Sequence, residues 1–171
     1  MKRILILVAI LIVMISPSEA QNLKYFFNSF QNDSRFESVT VGKFLLTLPL
    51  IFGNLNRDER DFLSSIKRIK ILKSNFAYNS EFSRIVLNDL DKALSLGNYE
   101  NILEARDKNQ TVKIYYHILA NKNSDLLLVA NENDEMCIIW INGKISEKIM
   151  EKLHNQLADN SSNFINKIQF K

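Results

Sequence analysis

The residue types that carry out chemistry are few and scattered in this chain. The sequence has one cysteine, Cys137, and two histidines, His117 and His154. A nucleophilic cysteine needs a base beside it, and neither histidine stands in a recognisable catalytic motif. Because Cys137 lies inside the apolar segment 136–141, we interpret its thiol as a small buried hydrophobic group.

Cofactor and metal motifs are not found in the sequence. The glycines after the first twenty residues are too far apart for a phosphate-binding loop: Gly42, Gly53, Gly97 and Gly143. The acidic segment 131–135 lacks the glycine and the spaced ligands of a calcium loop. We therefore expect no cofactor and no metal site.

Carboxylate pairs are the remaining route to hydrolysis. Glu100 with Glu104, or Asp89 with Asp91, could form such a pair. Acid and base roles require surroundings that drive the two pKa values apart, and spacing alone does not show this. Solvent-exposed carboxylates with no catalytic role would show the same spacing in the sequence.

Tyr115 and His117 are the candidate binding residues. Apolar side chains alternate with polar ones in segment 111–120, which is typical of a strand with one buried face. The face predicted to meet the core carries Val112, Ile114, Tyr116 and Ile118. Tyr115 and His117 fall on the opposite, polar face, where they could form a binding surface or be ordinary structure.

The strand that carries these residues is one of a predicted series. Segments 99–106, 111–120, 126–130 and 136–141 are separated by polar turns, which predicts an antiparallel β-meander. Segment 136–141 is apolar on both faces and should be covered on both.

Amphipathic helices are predicted around the meander, at 21–30, 80–96 and 146–158. Asn79 or Ser80 can cap the second helix, and Gly97 can take a left-handed conformation after it. Since each apolar stripe must be covered, we predict an α+β fold: an antiparallel β-meander packed against helices in a two-layer single domain. Trp140 should then be buried.

Shorter elements precede the meander. Strands are predicted at 37–41 and 69–73, and helices at 43–48 and 56–65, the first ending or kinking at Pro49. One basic cluster is interpreted as a solvated face: Lys67, Arg68, Lys70 and Lys73.

The first twenty residues have the pattern of a secretory signal peptide. Lys2 and Arg3 precede the apolar run 4–15, and a small-residue cleavage site ends at Ala20. The run is shorter than the roughly 20 residues needed to span a bilayer. No cysteine follows it, so we expect no stable membrane anchor after cleavage.

The predicted organisation is therefore a signal peptide at 1–20, a single α+β domain at 21–158 and a C-terminal tail at 159–171. The expected location is periplasmic or secreted. A net charge of only +3 and the expected export argue against nucleic acid as a partner.

The elements together resemble a family of exported proteins of the Bacteroidota, the domain of unknown function DUF4252. The resemblance rests on segments spread over most of the chain: 26–30, 36–44, 69–72, 94–102, 112–115 and 138–143. Most of these are core and turn positions, so the resemblance implies a shared fold and supplies no activity.

Two functional hypotheses follow. The first is an exported envelope protein that acts as a non-catalytic binding or interaction module for an envelope protein or an apolar ligand. The second is a small periplasmic hydrolase or isomerase that uses dispersed carboxylates or His117.

We predict that export removes residues 1–20, because the apolar run is too short to span and ends in small residues. Intact-mass measurement of the exported protein should give the mass of a chain that begins at Gln21. A mass that still includes Met1 to Ala20 would contradict the prediction.

Overall fold

The fold consists of one six-stranded sheet with helices packed on it. The structure is a computed structural model that describes residues 20–74, 80–107, 110–119, 123–132, 135–146 and 148–151. The helices are α1 (Ala20–Phe30), α2 (Lys43–Phe52), α3 (Arg57–Ser65) and α4 (Glu81–Leu96). The strands are β1 (Phe36–Gly42), β2 (Ile66–Ser74), β3 (Glu100–Asp107), β4 (Gln110–Ile118), β5 (Ser124–Glu132) and β6 (Glu135–Gly143).

The sheet is antiparallel throughout, in the order β1-β2-β6-β5-β4-β3. The predicted α+β class and the meander from β3 to β6 are confirmed. Residues 148–151 are helical and lie within the helix predicted at 146–158, whose part after residue 151 lies outside the described residues. The predicted signal peptide, except Ala20, and the predicted tail lie outside the described residues.

Helices α1 and α4 cover one face of the sheet. Trp140 on β6 lies opposite Leu127 on β5 and contacts Phe27 of α1, with 5.3 Å between the ring centroids. Trp140 is only 6% exposed, which confirms its predicted burial. The same core includes apolar side chains from both helices: Leu23, Phe26, Phe30, Val86, Leu90 and Leu94.

The chain after β6 packs on the opposite face. A second core contains Ile114, Leu126 and Ile145, and Ile149 and Met150 lie against it. The apolar side chains on the two faces of β6 therefore pack against different parts of the chain, as its sequence predicts. Tyr116 of β4 also reaches this segment, because its hydroxyl donates a hydrogen bond to the Ile145 carbonyl at 3.1 Å.

The burial of β4 differs from the predicted pattern at its end. Ile118 was expected in the core but is 55% exposed, whereas His117 is buried. Ile118 pairs with Ser124 at the last rung of the sheet, beyond the apolar side chains of the second core. Alternation fixes the face on which a side chain lies, but the extent of the covering layer decides whether it is buried.

Helix α2 continues past Pro49 to Phe52, so the expected end at that proline is wrong. Proline removes one backbone donor, but the last turn is held by other contacts. The Gly53 N–H donates to the Pro49 carbonyl at 2.8 Å. The Arg60 guanidinium, from α3, donates to the Leu50 carbonyl at 3.1 Å and satisfies a C-terminal acceptor of the helix.

Asn98, rather than the predicted Gly97, takes the left-handed conformation after α4, with φ of 52°. Gly97 has φ of −93°. Its small size is needed for a different reason, since a Cβ there would lie 2.6 Å from the Tyr99 ring. Ser80 caps the start of α4 as predicted, accepting a hydrogen bond from the Ser83 N–H.

We predict that Gly143→Ala destabilises the protein more than Gly42→Ala does. A Cβ at Gly143 would overlap the Ser65 carbonyl oxygen and lie 2.8 Å from Ile66 Cα, and a Cβ at Gly42 meets nothing within 4 Å. Overpacking against backbone costs about 1 to 3 kcal/mol. Urea unfolding monitored by Trp140 fluorescence measures both variants. Equal free energies of unfolding for the two would contradict the packing of β6 on the start of β2.

Candidate functional site

The two predicted binding residues lie on the sheet face that α1 and α4 cover. Tyr115 is half-buried against the first core, and burial raises the pKa of its phenol, with smaller contributions from Asp91 and Glu104 in the same direction. His117 is 9% exposed, and its Nδ1 lies 3.2 Å from the Asn98 carbonyl oxygen. A role for either residue in binding stays a prediction.

His117 borders a buried polar cluster at one end of the sheet. The Asp125 side chain is fully buried, and its Oδ2 accepts a hydrogen bond from the Tyr99 hydroxyl at 2.6 Å. Its Oδ1 accepts from Asn142 Nδ2 at 2.7 Å. The His117 ring lies beside Tyr99, with 5.1 Å between centroids, and is the cross-strand neighbour of Asp125.

This cluster links three parts of the fold. Tyr99 follows α4, Asp125 begins β5 and Asn142 ends β6, so the carboxyl group joins the helix end to two central strands. Both carboxylate oxygens of Asp125 accept hydrogen bonds from protein donors, and these bonds stabilise the contact between the helix end and the two strands. Asp125 was not among the predicted site residues, although the sequence contains a signal for it. Asp125 alternates with Leu127 and Val129, so its side chain lies on the same buried face of β5.

The proposed carboxylate pairs are not assembled. A bulge in β3 places Glu100 opposite Tyr116 and Glu104 opposite Lys113, so the two carboxylates point to different faces of the sheet. Asp89 and Asp91 are two positions apart on α4, and helical geometry directs them to different sides. Neither pair can share a substrate proton in this arrangement.

Cys137 lies inside the sheet, as expected. It is 2% exposed, and burial raises the pKa of its thiol to about 11, which keeps the thiol protonated at neutral pH. Among the described residues, no group of three or more histidine, cysteine, aspartate or glutamate side chains could hold a metal ion.

An exposed apolar face lies on α2. Phe44 is 76% exposed and Ile51 67% exposed, with Leu45 and Leu48 between them. At 100° per residue, Phe44, Leu48 and Ile51 form one stripe, and Leu45 widens it. Leu46 points to the other side and is buried. We call these four exposed side chains the α2 apolar face.

A second apolar feature is a groove of about 210 Å³ between α1 and α4. Phe26, Phe30 and Ala93 line its floor, and Tyr25 and Leu96 stand exposed at its rim. The described helices include none long and apolar enough to cross a membrane.

We predict that Tyr99→Phe destabilises the fold by about 1 to 3 kcal/mol, because it removes a donor from a fully buried carboxyl group. Tyr25→Phe is the matched control, since Tyr25 is 76% exposed. Urea unfolding of both variants measures the difference. If the two variants unfold at the same midpoint, the Asp125 cluster does not stabilise the sheet.

Comparison with known proteins places the fold in a family. The family model described as a domain of unknown function, DUF4252, matches residues 27–153, which include all six strands and helices α2 to α4. No curated protein matches the chain, and no solved structure does. Because the matched segment is well over half of the sequence and spans the whole sheet, the chain belongs to the DUF4252 family.

Proposed function

We propose that this protein is an exported module of the cell envelope that binds another envelope protein through the α2 apolar face. The observation that carries the proposal is the exposure of four large apolar side chains on one helix. Apolar side chains clustered in this way on a surface are typical of sites that bind a partner. The N-terminal sequence pattern supports the export part of the proposal.

The α2 apolar face is not needed for the sheet. Neither core cluster contains a residue of α2 or α3, and the two helices lie between β1 and β2 in the chain. The 43–65 segment therefore adds a surface to a sheet whose main cores are complete without it. A segment retained for the fold alone would be expected to bury its largest apolar groups.

The geometry of α2 is fixed before any partner binds. Leu46 anchors the helix on its buried side, and Arg60 donates hydrogen bonds to the carbonyls of Leu50 and Gly53 at its end. A preorganised surface loses less conformational entropy on association. Aromatic and long aliphatic groups such as Phe44 are also suited to act as anchors in a partner's pocket.

The charges beside α2 favour a protein partner over a lipid surface. Helix α3 packs against α2 and exposes the acidic Asp58, Glu59 and Asp61 together with two arginines, so this side of α2 has no excess of basic charge. Helices that lie on anionic membranes carry lysine and arginine beside the apolar face, because carboxylates are repelled by anionic head groups. A protein partner with an apolar patch bordered by charged side chains of both signs complements this surface better.

The alternative, a small periplasmic hydrolase or isomerase, receives less support. The dispersed carboxylates that it would use are directed apart, and His117 lies under the helices beside Asn98. The groove between α1 and α4 has apolar residues on its floor and carries Asp89 and Lys92, which pair with each other at 3.5 Å.

We predict that Phe44→Glu and Ile51→Glu each reduce partner binding at least tenfold, because each places a charge at the centre of an apolar contact. Chemical cross-linking in intact cells, followed by purification and mass spectrometry, identifies the protein held by the unmodified chain. Binding of that purified protein is then measured by calorimetry. Ile85→Glu is the matched control, since Ile85 is 49% exposed on α4, outside the α2 apolar face.

Three results would contradict the proposal. The first is equal loss of binding in the Ile85 control. The second is sedimentation of the protein with phospholipid vesicles that depends on Phe44, which would indicate a membrane surface. The third is self-association that depends on Phe44, which would indicate a second copy of the chain. Circular dichroism should show that all variants fold, since exposed substitutions change stability by about 0.5 kcal/mol or less.

A further inference from the structure

Lys70 is a buried lysine in the middle of the sheet. It belongs to the basic cluster that was expected to be a solvated face, but it is only 8% exposed, while Lys67 and Arg68 are exposed. The reason is register: Lys70 lies opposite Trp140 on the face covered by α1. Lysine is almost never buried in proteins unless its charge is paired.

Among the described residues, no carboxylate pairs with the Lys70 ammonium. Its Nζ donates to two amide oxygens, Asn28 Oδ1 of α1 at 3.1 Å and Oε1 of Gln31, which follows the helix, at 3.4 Å. It also lies 5.8 Å from the Trp140 ring centroid and 6.0 Å from that of Phe27. Amides and rings attract a cation but do not neutralise its charge.

Two further cations lie on the elements that surround Lys70: Arg68, two residues before it on β2, and Lys24, one turn before Asn28 on α1. Burial lowers the pKa of its ammonium, and Arg68 and then Lys24 lower it further. Trp140 adds an unused donor, because its buried indole Nε1 has no acceptor among the described residues. The site thus combines three cations with an indole N–H, and no carboxylate in the described part of the chain pairs with Lys70.

We propose that Lys70, Lys24 and Arg68 bind the oxyanion of a small molecule that carries a phosphate or carboxylate group. Lys24 lies one turn before Asn28 on α1, and Arg68 lies on the same face of β2 as Lys70; both are exposed, whereas Lys70 is buried. An oxyanion that displaces the longer Gln31 contact would receive a charge-assisted hydrogen bond from Lys70. This site is formed by α1 and β2, so the proposal does not depend on the α2 apolar face.

The test uses Trp140, the only tryptophan of the chain, as the reporter. The exported protein is titrated with inorganic phosphate or acetate at constant ionic strength while its fluorescence is recorded. We expect a saturable change with at least one of the two anions. Lys70→Met should abolish the change, and Lys24→Gln and Arg68→Gln should each raise the dissociation constant several-fold.

Lys92→Gln is the matched control, because Lys92 is an exposed lysine of α4 that pairs with Asp89. It should leave the dissociation constant unchanged. If circular dichroism shows that Lys70→Met does not fold, the two exposed variants decide the outcome. Titration with phosphatidylglycerol vesicles distinguishes a lipid head group from a free anion, since only a lipid site would respond to the vesicles and not to the free anions.

The proposal of a small-molecule site is overturned if phosphate and acetate both leave the fluorescence unchanged, whether or not the vesicles change it. It is also overturned if folded Lys70→Met, or both exposed variants, bind with the affinity of the unmodified protein. A loss of anion binding in Lys92→Gln equal to that in Lys24→Gln would show a general charge effect and would overturn it as well.

Discussion

The structure depends on one constraint: the central strand β6 is apolar on both faces. Trp140 and Ile138 face α1 and α4, while Ile139 and Ile141 face the opposite side. A sheet with two apolar faces cannot leave either in water, so the chain must supply a cover for each. Helices α1 and α4 cover one face, and Ile145, Ile149 and Met150 cover the other.

Most of the buried polar groups form hydrogen bonds that connect separate elements of this layered arrangement. Asp125 joins Tyr99 and Asn142 at the end of the sheet, and the Ser74 hydroxyl accepts a hydrogen bond from the Met136 N–H at 2.7 Å. Buried polar groups are costly unless they find such partners. Lys70 is the exception, because its partners are neutral and its charged neighbours are cations. That imbalance distinguishes it from the structural polar groups.

The features that point to function lie outside the two cores. The 43–65 segment adds α2 and α3 beside β1 and β2, and the four large side chains of the α2 apolar face remain exposed. Its mixed charges and fixed helix end suit recognition of a protein surface. The anion site proposed at Lys70 is built differently, from a strand residue whose charge the covering helix leaves unneutralised. The two proposals therefore rest on separate observations and can fail separately.

Local sequence patterns determined most of the elements. Period-two alternation located β4, short apolar segments between polar turns located β3, β5 and β6, and helical spacing located α1 and α4. The apolar run of β6 also indicated cover on both faces. These signals depend only on neighbours in the chain. Tertiary structure decided the rest. Strand pairing placed Lys70 opposite Trp140 under α1 and left Ile118 beyond the apolar layer that covers its face.

The tertiary structure also brought Tyr99, Asp125 and Asn142 together from three elements. Contacts from Arg60 let α2 extend beyond Pro49. Such burial and pairing depend on residues distant in sequence, whose register no local pattern specifies.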